Sequence, residues 1–206
     1  KPIGPVAIEG HAVAATGVEV ENVIVKFADA ATRVEAAGFH GVEIHGAHGY
    51  LLTQFLSKEN TRADRWGGES FQNRSRLMRD VVRAVRANTT KNFLVGIRIS
   101  PEDFGNARGL DLDENVTVMR WLAEDGVDYG HVSHLALAAP SVKYPDRVAL
   151  APLCSQGVER GVIVVGEGQA GRREVALQVR HRGGAGDRQH GRGAAQQPGE
   201  RELLAG

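Results

Sequence analysis

With 206 residues, 42% of them apolar and 24% charged, the chain is long enough for one substantial core or for part of a larger barrel. Its 25 basic and 25 acidic side chains cancel, so nothing in the charge advertises a nucleic-acid or membrane-surface partner. A single cysteine, Cys154, excludes an internal disulfide framework or a multi-cysteine iron–sulfur cluster; with no signal-peptide architecture and no apolar run near the roughly 20 residues that span a bilayer, a cytoplasmic protein is expected.

Residues 1–15 have neither a helical nor a strand period and read as an irregular connection. Thr16 followed by Glu19 carries the signature of a capping box. Val23, Phe27, Ala30, Ala31 and Val34 then recur on one helical face, and Gly38 is placed to end that helix. Val42 and Ile44 mark a buried strand over 41–45, and 51–56 reads as a short apolar turn or helix. The polar stretch 57–70, rich in Arg and Asp and carrying Gly67-Gly68, reads as a structured loop. A second helix is predicted over 71–87, with Leu77, Met78, Val81, Ala84 and Val85 inward. Arg74, Arg76, Arg79, Arg83 and Arg86 are expected on its solvated face rather than in a nucleic-acid patch.

The run 93–100 is a second strand in which Val95, Ile97 and Ile99 share one face while Gly96 and Arg98 point the other way. In a parallel barrel that other face is the packed interior, so the Arg98 guanidinium needs an anionic or hydrogen-bonding partner there; an internal salt bridge is the plain answer to that need and a ligand the other. Asp111 and Glu114 open a third helix that turns Val116, Met119 and Leu122 inward and ends at Gly126, and 128–133 forms a third strand. Residues 134–146, with two prolines, Lys143 and Tyr144, read as a loop suited to cover a substrate. A short helix over 148–157 and a fourth strand over 162–165, ending at Gly166, follow. This alternation is the grammar of a parallel α/β fold. Four strands do not close an eight-stranded barrel, for which about 250 residues is typical, so a partial (β/α)8 TIM barrel over 1–166 is expected.

From 167 onward the texture changes: there is no Ile or Phe, and Gly and Arg recur in blocks such as Arg180 to Gly184. Such a composition buries too little surface to fold. A reading frame that changes near Gly166 explains it, since off-frame GC-rich DNA yields Arg, Gly, Ala and Gln. A disordered basic tail that touches nucleic acid is the other explanation, although no aromatics interleave the arginines.

The chemistry concentrates at the end of the first long strand, where His45, His48 and Tyr50 are separated by Gly46, Ala47 and Gly49. Ligands sit at the carboxyl ends of parallel strands, and small residues there allow close approach. Either histidine alone reads first as a satisfied structural side chain. Three polar groups at one strand mouth need three partners, which points to a ligand. A zinc site has the histidine pair but neither an H-E-x-x-H pattern nor a third ligand placed by spacing.

The run from Ala37 to Leu52, with Gln54-Phe55-Leu56-Ser57, resembles the Old Yellow Enzyme family of FMN-dependent oxidoreductases. Asn60, Arg62, Asp64, Trp66-Gly67-Gly68 and Asn73-Arg74 continue the resemblance, as do Val95 to Pro101 and His131-Val132-Ser133, in family order over about residues 1–166. The resemblance implies a (β/α)8 barrel with FMN at its carboxyl mouth, reduced by NAD(P)H and passing hydride to the β-carbon of an activated alkene in ping-pong fashion. It implies that His45 and His48 donate hydrogen bonds to the substrate's carbonyl or nitro oxygen, and that Tyr50 supplies the proton to the α-carbon. Arg98 would face the flavin N1/O2 edge, and Gly166 would let the backbone approach the FMN phosphate. The family's first three barrel strands have no counterpart here, and its Gly-Arg phosphate-binding turn is not found in the final forty residues. A non-catalytic barrel fragment is therefore the main rival expectation, and a nucleic-acid-binding module acting through the tail is the third.

Overall fold

A computed structural model describes residues 1–102, 109–133 and 145–146, together with the backbone of Ile163–Glu167. The first long helix, α1 (Gly17–Ala36), begins as the capping box requires: the Thr16 side chain accepts from the Glu19 backbone N–H while Glu19 reaches back to the Thr16 backbone. Past its end Gly38 takes φ +85°, a left-handed conformation that a side chain would disfavour. Ahead of it, residues 1–15 are not wholly irregular. Two-residue strands β1 (Ile3–Gly4) and β2 (Val13–Ala14) pair in parallel. Arg62 ties this segment to the 57–70 loop by donating to the carbonyls of Pro5 and Ala15.

The frame of the molecule is a four-stranded parallel sheet in the order β3 (Gly41–Gly46), β4 (Leu94–Ile99), β5 (Tyr129–Ser133), β6 (Ile163–Glu167). Between β3 and β4 lie α2 (Leu51–Leu56) and α3 (Phe71–Ala87), and α4 (Leu112–Asp125) lies between β4 and β5. These two crossovers carry helices because parallel neighbours cannot be joined by a hairpin. One face of the sheet is buried by helices: Ile44, Val95, Ile97, Ile99 and Val132 pack with Leu77, Met78, Val81, Val82 and Val85 of α3 and Val118, Met119 and Leu122 of α4. Each such side chain withdrawn from water stabilises the fold by about 1.5–3 kcal/mol. The alternation on β4 is as expected, with Gly96 and Arg98 on the opposite, inner face.

Two expectations are corrected. Arg74 is not on a solvated face: it is buried, forks onto both Glu114 carboxylate oxygens at 2.6 Å, and also donates to the carbonyls of Leu56, Gly68 and Glu69. Arg79 and Arg86 are half-buried and pair with Asp125 and Asp128, so α3 is bolted to α4 and its following turn by ion pairs. The fourth strand runs Ile163–Glu167, so Gly166 lies inside it, opposite Val132, rather than past its end. The expected cover over 134–144, the helix over 148–157 and the tail over 168–206 lie outside the described residues. Among the described residues, no helix is long and apolar enough to cross a membrane.

Candidate active site at the carboxyl ends of the sheet

Parallel registration stacks the inner face in layers. Glu43, Gly96 and Tyr129 occupy one row, and His45, Arg98 and His131 the next row toward the carboxyl ends. The lower row depends on a missing side chain: a Cβ on Gly96 would lie 2.0 Å from Cζ of Tyr129, so the phenol ring occupies the space above the glycine. His131 Nδ1 is 3.1 Å from Oε2 of Glu43. Burial, then the Glu43 charge and its hydrogen bond to the phenol, push the Tyr129 pKa up to about 12.

Above these rows the chain leaves β3 through a strained turn. His48 has φ +58° and is the only non-glycine residue at positive φ among the described residues; Gly49 follows at +73°. A bulky residue in that region persists only when its surroundings hold it, and such residues cluster at functional sites. Here the His48 backbone N–H donates to Ser100 Oγ at 3.1 Å. Ser100 is itself placed by buried Asn115 of α4, whose amide donates to the Ser100 and Pro101 carbonyls. The turn closes with Gln54 donating to the Gly49 carbonyl and Thr53 to the Tyr50 carbonyl.

The turn brings the expected residues together. The His45 ring centroid is 5.4 Å from that of His48 and 5.0 Å from that of Tyr50. Tyr50 is well exposed, at 61%. Arg98 is the register partner of His45, and its Nη2 donates to Ser133 Oγ at 3.0 Å. The same oxygen lies 2.8 Å from His48 Nε2. Burial and then the Arg98 charge lower the His45 pKa against a smaller opposing pull from Glu43, which favours the neutral ring. Gly166 lies on β6, two strands from Arg98, and is the one expected residue that does not join this cluster.

Glu43, Ser100, His131 and Ser133 lie within the resembling motifs but carry no role read from the sequence, and Tyr129 lies outside those motifs. Strand alternation alone puts Tyr129, His131 and Ser133 on the Arg98 face, which was the available signal. The assembled rim is a donor set of two imidazoles, a guanidinium and a phenol. The Glu43 carboxylate sits one row below, engaged by His131 and Tyr129. Such a set suits an electron-rich planar ligand with carbonyl edges, and a reduced flavin is one.

A parallel sheet backed by helices, with its polar groups at the carboxyl ends, is the architecture of a segment of an α/β barrel. Residues 7–170 match the NADH:flavin oxidoreductase / NADH oxidase family. The chain belongs to that family, the Old Yellow Enzyme family of FMN-dependent NAD(P)H oxidoreductases. It is 41% identical over 153 residues to the NADH:fumarate oxidoreductase of Klebsiella pneumoniae (strain 342), covering 69% of this chain and 16% of that protein. It is 36% identical over 156 residues to the NADH oxidase of Thermoanaerobacter brockii, covering 72% and 24%. Among solved structures, the old yellow enzyme homologue from Zymomonas mobilis superposes with a TM-score of 0.66 at 24% identity, over 82% of this chain and 51% of that one. The chain thus spans about a quarter or less of these two curated relatives, and the structural likeness carries the fold.

Proposed function

We propose that this chain carries the substrate-polarising part of an FMN site that uses NAD(P)H to reduce activated alkenes, α,β-unsaturated carbonyl or nitro compounds, in two half-reactions at one pocket. The observation that carries the proposal is the convergence of His45, His48 and Tyr50 at the rim of β3, with Arg98 beside His45 in register. Bound FMN supplies hydride transfer between a nicotinamide and the alkene. His45 and His48 bind the substrate oxygen as hydrogen-bond donors and stabilise the negative charge that develops on it. A neutral imidazole suits this role, because it donates without giving up its proton, and the lowered His45 pKa favours the neutral ring. Tyr50, exposed beside His45, holds the proton destined for the α-carbon. Arg98 would hold the flavin edge where negative charge accumulates on reduction. Gly166 is proposed, on family grounds, to leave room for the FMN phosphate. The name of the Klebsiella relative fits this substrate class, since fumarate is an alkene conjugated to carboxyl groups.

The test is Tyr50→Phe in FMN-loaded protein, with the two half-reactions followed separately by flavin absorbance. NAD(P)H should still bleach the flavin, whereas reoxidation by an enone should slow by about 10²–10⁴-fold. Equal loss of both half-reactions removes Tyr50 as proton donor. A purified chain that stays colourless after soaking in FMN overturns the flavin site itself.

A further inference from the structure

We propose that Ser133 is a positioning residue that fixes which ring nitrogen of His48 carries the proton, leaving Nδ1–H as the donor His48 presents. The role assigned to that donor rests on the function proposed above; the tautomer itself does not. Ser133 is the last residue of β5 and is buried. Its Oγ lies 3.0 Å from Arg98 Nη2 and 2.8 Å from His48 Nε2, and these are its two partners among the described residues.

A guanidinium has donors only and stays charged, so Ser133 Oγ must accept from Arg98. The hydroxyl has one hydrogen of its own, and His48 Nε2 is positioned to take it. A neutral imidazole bears one N–H and one bare nitrogen. With Nε2 bare and Nδ1 protonated, the Arg98 Nη2–H and the Ser133 hydroxyl hydrogen each have an acceptor. The opposite tautomer would aim two N–H groups at one oxygen and strand the serine hydrogen in a buried site, which is the costly arrangement. The hydrogen bonds therefore run in one direction, Arg98 to Ser133 to His48. The His48 backbone, held by Ser100 Oγ, keeps the ring where Ser133 can reach it.

The experiment is two-bond ¹H–¹⁵N correlation spectroscopy of the full chain labelled in its histidine rings, at a pH where His48 is neutral, with His48→Gln identifying the signal by its loss. The expected pattern is a protonated Nδ1 and a bare Nε2 in the native chain, retained in Ser133→Thr and lost to a tautomer mixture in Ser133→Ala. A protonated Nε2 in the native chain overturns the proposal, as does an unchanged pattern in Ser133→Ala. Should Ser133→Ala not fold, the native and Ser133→Thr spectra decide it alone: both with protonated Nδ1 supports the proposal, and either with protonated Nε2 sinks it. The spectra need no FMN. A chain with the expected tautomer that binds no flavin sinks the proposed function and leaves this inference standing, and a flavin-binding chain with protonated Nε2 does the reverse.

Discussion

His45 and Arg98 are register partners across the β3–β4 pair, so an imidazole and a guanidinium lie side by side on the inner face of the sheet. The arrangement biases His45 toward its neutral form. Burial lowers its pKa, the Arg98 charge lowers it further, and Glu43, one row below, pulls the other way.

Replacing Arg98 with Gln should raise the His45 pKa, and replacing Glu43 with Gln should lower it. The pH titration of the His45 ring by NMR measures both. The folded value lies below the unfolded one, so the unfolded chain takes up this proton first as the pH falls. The stability linked to neutral His45 is present above the unfolded value and is lost as pH drops through the folded one. An unmoved titration in Arg98→Gln would show that burial alone sets the shift.

Gly96→Ala should cost about 1–3 kcal/mol, because the new methyl group falls on the Tyr129 ring and must displace it. The penalty should largely vanish when the same change is made in a Tyr129→Ala background, since the two sites share one space. Urea denaturation of the four proteins measures the coupling. Additive effects would mean that the ring moves aside freely.

Much of this was legible in the residues. The bounds of α3, the capping box at Thr16 and the inward pair Gly96 and Arg98 follow from periodicities of 3.6 and 2. What escaped depended on distant partners. Arg74 looks like any helix-surface arginine until Glu114, 40 residues on, is folded against it. Ser133 is an ordinary small polar residue until His48, 85 residues earlier, meets it. The two-residue strands β1 and β2 are too short to show any period. His48 and Tyr50 could be flagged by composition, but the left-handed turn that aims them is a property of the backbone.

Glu43→Gln should lower the Tyr129 pKa from about 12 toward the ordinary phenol value, because it removes the carboxylate charge and leaves burial as the main cause. Tyrosinate absorbance against pH reads this directly. The native protein should also lose stability as pH rises from about 10 to about 12, where the unfolded phenol has ionised and the folded one still holds its proton. In Glu43→Gln that loss should shrink. A Tyr129 titration indifferent to Glu43 would rule out their hydrogen bond.

Arg74→Met should be the most damaging of these changes, by about 3–5 kcal/mol in urea denaturation. The guanidinium is only 3% exposed, and it satisfies the carbonyls of Leu56, Gly68 and Glu69 as well as Glu114. Methionine fills the volume but strands those acceptors and a carboxylate. Arg74→Lys keeps the charge and should still fall well short of native stability, since one ammonium cannot reach four acceptors held by a planar fork. Glu114→Gln should cost less than Arg74→Met, because its side chain is 23% exposed and water can replace part of what it loses. Combining Arg74→Met with Glu114→Leu should recover part of the single-mutant loss, because no buried charge is then left unpaired. If Arg74→Met proves as mild as Arg83→Met, whose arginine is a half-exposed member of the Asp125 pair, then the loop over 57–70 is held by something other than this guanidinium.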